Sequence, residues 1–243
     1  MRRFLLFILI LVGIAGALLF FMPLRLAVSL AELDERVFSA KQISGSIWNG
    51  HIESAKLGPV NLGDLDAGMQ FWPILSGDMI MDLERPENAA GGSFSATLGK
   101  AGNDFLVADA IAKIPVGRQL APLPASNIEL SGFSANFADG RCSSASGQVR
   151  MSLDANIPGL DLQRGLLGNA ECQDGVLILP LASSSGMEKL TLKLEGDGQY
   201  TARLALSGGN AAWTLLLPSL GFSKTPDGYA IKMAGQLGQG FNQ

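Results

Sequence analysis

From Phe4 to Leu24 the chain is an unbroken apolar run, punctuated by Gly13, Gly16 and Pro23 but by no charge, and preceded directly by Arg2 and Arg3. Its 21 residues at about 1.5 Å each reach about 30 Å, the thickness of a hydrocarbon core, so the run predicts a membrane anchor bounded by Phe4 and Leu24. A cleaved signal peptide competes with this, since Ala27-Val28-Ser29 offers a cleavage site, but such peptides carry a shorter apolar core of about 7–15 residues. The arginine pair favours a cytoplasmic tail over residues 1–3 and sends residues 25–243 across the membrane, a result that both alternatives share.

Beyond the anchor, Leu26, Leu30 and Leu33 keep helical spacing and predict a short helix that ends by Val37. The period then changes to two. Gly45-Ser46-Ile47-Trp48-Asn49-Gly50 reads as a strand closing on an Asn-Gly turn, with a second strand over His51 to Leu57. Alternation returns at Met79 to Glu84, Ser93 to Leu98, Phe105 to Ile111, and Val149 to Leu153, each the mark of a strand with one buried face. Val176 to Leu181 is continuously apolar, as a strand buried on both faces would be. Leu190 to Glu195, the Gly196-Asp197-Gly198 turn and Tyr200 to Leu206 form the strongest hairpin signal in the chain.

Clustered apolar residues between Gly208 and Leu220 predict a short helix, and Tyr229 to Met233 a closing strand. The polar, glycine-rich tail from Gln236 to Gln243 is expected to fray. Three prolines between Pro115 and Pro124 suggest a connector between halves at 38–114 and 125–237. The predicted fold class is therefore mainly β: one N-terminal transmembrane helix, then a β-rich periplasmic domain, either a curved sheet or a sandwich, with one or two short helices.

Composition changes this picture little, but it excludes some functions. Hydrophobic residues make up 47% of the chain and charged ones 16%, which rules out a disordered chain. The net charge of −4 becomes more acidic still once Arg2 and Arg3 stay behind, so nucleic acid is not an expected partner. Cys142 and Cys172 would both lie in an oxidising compartment, where a disulfide is the simplest outcome and two separate buried thiols the alternative.

Candidate chemistry is sparse. His51 is the single histidine and is expected in an exposed loop, so a catalytic triad or a zinc site would have to be built around one residue. Asp64 with Asp66, and Asp82 with Glu84, would each share one face of a strand; a solvated face is the plainer reading than calcium, which needs six or more oxygens. Trp48, Trp72 and Trp213 are expected as core anchors, two of them beside turn residues where they can lock sheet corners. Gly13, Gly16 and Ala17 could let a second helix pack on the anchor. No catalytic residue, cofactor or metal is expected, and the chain is read as a non-enzyme.

Three short segments carry a resemblance: Pro23-Leu24-Arg25-Leu26 at the end of the anchor, the Gly45 to Gly50 element with Trp48, and Phe71-Trp72-Pro73-Ile74-Leu75-Ser76-Gly77. Together with the cysteine segments Gly140 to Gly147 and Cys172 to Val176, and the ending Leu220-Gly221-Phe222, Asp227-Gly228-Tyr229 and Gly235, the chain resembles protein N of the bacterial type II (general) secretion pathway. The resemblance implies a structural motif at Gly45, Trp48, Gly50, Trp72 and Gly77. It also implies an accessory inner-membrane component supporting export of folded proteins across the outer membrane, with other secretion components as partners. A tethered β-rich domain is also similar to the AsmA-type lipid-handling proteins; an open apolar groove holding phospholipid would distinguish that alternative.

Overall fold

The computed structural model describes residues 2–30, 38–57, 60–86, 92–115, 125–153, 165–209 and 211–236. Helix α1 (Arg2–Phe20) is followed by α2 (Leu24–Leu30), and the rest is strand except for α3 (Phe71–Ser76) and α4 (Ala211–Ser219). The N-terminal strands are β1 (Phe38–Ser39), β2 (Gln42–Gly45), β3 (Gly50–Leu57), β4 (Val60–Met69), β5 (Met79–Glu84), β6 (Phe94–Ala101) and β7 (Asp104–Pro115). The C-terminal strands are β8 (Ala125–Ala138), β9 (Arg141–Leu153), β10 (Leu166–Asn169), β11 (Glu171–Gln173), β12 (Val176–Ala182), β13 (Glu188–Leu194), β14 (Gln199–Ser207), β15 (Ser223–Thr225) and β16 (Gly228–Gln236).

All sixteen described strands belong to one antiparallel sheet, most of it a meander in which each strand pairs with its sequence neighbour. Among the described residues the strands therefore form one hydrogen-bonded sheet and not two separate ones. The halves expected on either side of the proline-rich connector are joined edge to edge, because β7 and β8 pair from Phe105↔Phe137 to Pro115↔Asn127. The connector itself, 116–124, lies outside the described residues, as do the Leu33 end of the predicted first short helix and the tail 237–243.

The first helix ends earlier than the apolar run. Proline lacks an N–H and pushes the residue before it out of the helical region. Met22 therefore leaves the helix, and Pro23 forms an antiparallel bridge with Ser46. Leu24, expected as the far-side boundary of the anchor, instead starts α2 and is fully buried in the core. Among the described residues no helix is long and apolar enough to cross a membrane; α1 has 19 residues rather than 21, and the side chains of Leu5, Ile8, Val12, Ala15 and Leu19 lie outside the described set.

Two larger cores form among the described residues. The larger unites Val149, Met151, Leu153, Leu166, Leu181, Leu190, Leu204 and Leu206 with Trp213 and Leu217 from α4. Register explains its layering: Leu181, Leu190, Leu204 and Ile231 stand opposite one another across four strands, and Leu179, Leu192, Ala202 and Met233 form the next row. The smaller gathers Leu24, Ile52, Ala55, Leu62, Leu65, Ala67 and Leu83, and Ile114 packs partly against both. Helix residues are few in both cores, Leu24 from α2 in one and Trp213 and Leu217 from α4 in the other, so most of the burial is strand against strand.

One break in the ladder has a local cause. Pro180 sits inside β12, where it pairs with Thr191 but has no N–H to give the other neighbour. On that side the partner strand is interrupted at Ala170, whose N–H goes to Gly147 O at 2.9 Å instead, splitting it into β10 and β11.

Candidate functional site

The residues singled out in the sequence converge where α1 meets the sheet. The β2–β3 hairpin closes Gly45 against Gly50, so the loop is Ser46 to Asn49 and not a two-residue Asn-Gly turn. Gly45 supplies the positive φ of +82°. That loop is threaded between helix and sheet: Ile47 N–H donates to Met22 O at 3.0 Å, and Ile47 O accepts from Met69 N–H at 2.7 Å. The Trp48 indole donates to Phe20 O at 3.1 Å, satisfying one of the carbonyls that the last turn of α1 leaves unpaired. Gly50 is required for a different reason. A Cβ there would overlap Leu24 Cδ2, so the glycine lets the leucine pack flat on β3.

Gln70 and α3 follow directly on β4. Gly77 caps α3 in the left-handed region at φ 90°, its N–H reaching Ile74 O at 3.1 Å. Trp48, Phe71 and Trp72 form a run of ring contacts, with centroids 5.8 and 5.6 Å apart. Here the expectation of three core tryptophans needs correcting. Trp213 is buried and Trp48 half-buried, but Trp72 is 78% exposed, and α3 buries none of its residues. Ring size argues for burial only where a core is within reach, and α3 lies outside the sheet's packed face.

His51 lies on strand β3, not in a loop, directly opposite Asp66 on β4. Its Nδ1 is 2.7 Å from the Asp66 carboxylate. That hydrogen bond, aided by the charges of Asp66, Asp64 and Glu53 and opposed by slight burial, raises the imidazole above its usual 6.5. The remaining carboxylates serve the backbone and their neighbours. Asp64 accepts the N–H of Ser54, whose φ of +51° marks a bulge in β3, and Asp82 accepts from Gln70 and Thr97. Among the described residues no group of three or more His, Cys, Asp or Glu side chains could hold a metal ion.

Cys142 and Cys172 form the expected disulfide, joining the start of β9 to β11 with Cα atoms 5.6 Å apart. Beside it Cys142 N–H donates to Gly175 O at 2.8 Å. Ala135, Ala170 and Leu177 pack around the bond as a third small core. A buried carboxylate adds a feature that the sequence pattern does not announce: Glu188 accepts from the hydroxyls of Ser183 and Ser185 at the β12–β13 turn. The run of three serines shortly before a glutamate was its only signal.

The model of a known family, type II secretion system protein N, matches residues 38–232, which is the sheet from β1 into β16. The chain belongs to that family. It is thus a component of the type II secretion system, an assembly of the cell envelope, and other components of the system are its partners. No curated protein matches, and no solved structure does. Within the matched region lie the whole Gly45 to Gly50 loop, α3 and the disulfide, whereas the Pro23 to Leu26 segment and Gly235 fall outside it.

Proposed function

We propose that this protein is an accessory inner-membrane component of type II secretion, anchored through α1 and holding its sheet in the periplasm, where it docks on other components and does no catalysis. The observation that carries this reading is the junction just described. A helix with apolar side chains exposed on every described face, from Phe4 through Leu11 to Phe20, runs directly into the family's sheet and is hydrogen-bonded to it. A helix apolar all round suits lipid rather than water. Helices of about 17–25 residues can span, and a slightly short one is accommodated by local bilayer thinning and by snorkelling of flanking arginines. The arginine pair then faces the cytoplasm. A disulfide is the natural state of a cysteine pair in an oxidising periplasm.

Docking would use a sheet edge. β15 pairs only with Gly228, Tyr229 and Ala230, so the outer side of β16 from Ile231 to Gln236 has no strand partner among the described residues. Such an edge can accept an added strand from another protein. The lipid-handling alternative fares worse, because the apolar rows from β8 to β16 are filled by one another and by Trp213 and Leu217.

Deleting the gene should leave type II cargo folded but trapped in the periplasm, with export across the inner membrane intact. Normal release of cargo in the deletion strain would refute the proposal. Phospholipid co-purifying with the sheet, seen by native mass spectrometry, would favour the lipid-handling reading instead.

A further inference from the structure

We infer that α3 is an interfacial foot: Phe71, Trp72 and Leu75 lie in the headgroup zone of the same bilayer that α1 enters, and so fix the angle at which the sheet leaves the membrane. This rests on the proposed role of α1 as a membrane anchor. The occupant of the exposed face is thus a lipid surface, and three observations point to it.

The first is the face itself. Phe71, Trp72 and Leu75 are 52%, 78% and 67% exposed, and no charged residue occurs between Phe71 and Gly77. Exposed apolar area costs about 25 cal/mol per Å² in water, whereas tryptophan and other amphipathic rings are enriched where a bilayer meets water. The second is position. From the carbonyl of Phe20 the connection runs through the Trp48 indole and the Ile47 backbone to Met69, two residues before α3 begins. Phe21, 77% exposed at the exit of α1, packs edge-on against Phe20 and extends the apolar surface at that end of the helix.

The third is rigidity. α3 is held as a fixed turn, with Ser76 Oγ donating to Pro73 O at 2.8 Å and Asp78 N–H to the same carbonyl at 3.0 Å. On its sheet side Gln70 is tied to the Asp82 carboxylate at 3.0 Å. The polar groups thus anchor the turn to the sheet, and the apolar groups are left outward. Two attachments, α1 and α3, would orient the domain where one helix alone would let it swivel.

The test uses the full chain in vesicles of phosphatidylcholine and phosphatidylglycerol, with and without bromine in the upper part of the acyl chains. Trp72→Phe is the variant; the side chain is so exposed that folding should be unaffected, and the buried Trp213 supplies an unquenched baseline. Bromolipid should quench the native chain strongly, and most of the quenched emission should be missing from Trp72→Phe, leaving a smaller part from Trp48. If the chain floats with the vesicles while the Trp72 emission is quenched by aqueous iodide and not by bromolipid, the foot is wrong, the anchor stands, and a protein must cover α3. If the chain does not float at all, the anchor fails and the foot fails with it.

Discussion

The two ends of the sheet are fastened by different means. From β8 onward the strands bury most of their core among themselves: a twelve-residue cluster, a helix that contributes Trp213 and Leu217 to it, and a disulfide that links β9 to β11. From β1 to β7 the core is smaller, and one of its fully buried members, Leu24, comes from α2, just beyond α1. The C-terminal half therefore carries its own closure, whereas the N-terminal half completes its core only when the segment leaving α1 docks on β3. Docking of the segment beyond α1 and packing of the sheet are coupled at one end of the molecule and separate at the other.

That contrast can be broken from either side. Trp213→Ala should cost about 3–5 kcal/mol, the range for emptying a large aromatic site, and hydrogen exchange should show the loss from β12 to β16 with β3 to β5 little changed. Leu24→Ala should cost about 2–5 kcal/mol by the same reasoning, with the pattern reversed: β3, β4 and β5 lose protection while β13 and β14 keep it. Equal losses in both halves for both variants would show a single cooperative unit and remove the distinction.

Replacing Cys142 and Cys172 together by serine should cost about 2–4 kcal/mol, confined to the C-terminal half and measurable by urea unfolding. The smallest effect belongs to His51. Its folded value lies above the usual 6.5 because Asp66 holds the protonated ring. The pair therefore adds stability that is fully present below about pH 6.5 and fades as pH rises through the folded value. As a largely exposed pair it should contribute below about 1 kcal/mol. The lone imidazole signal makes an NMR titration direct, and Asp66→Asn should return its midpoint toward 6.5.

Local patterns in the sequence marked most strands well. Alternation places β5 at Met79–Glu84 without error, and the β13–β14 hairpin turns at Gly196 to Gly198 as its glycines require, with Gly198 at φ +85°. The clustered apolar residues before Pro218 do form α4. What stayed hidden depends on distant partners. The end of α1 is set by a bridge between Pro23 and Ser46, and the burial of Leu24 by a missing side chain at Gly50. The proline-rich connector suggested two halves, yet pairing of β7 with β8 is a tertiary outcome that no local period encodes. Trp72 is exposed against expectation because aromatic size says nothing about which surface lies nearby.

Protease treatment of intact spheroplasts bearing an epitope after Gln243 bears most directly on where the sheet resides. External protease should remove the epitope while cytoplasmic markers survive, and the membrane pellet should retain the protein before digestion. An epitope that stays protected until the spheroplasts are lysed would place the sheet in the cytoplasm and contradict the anchored, periplasmic arrangement.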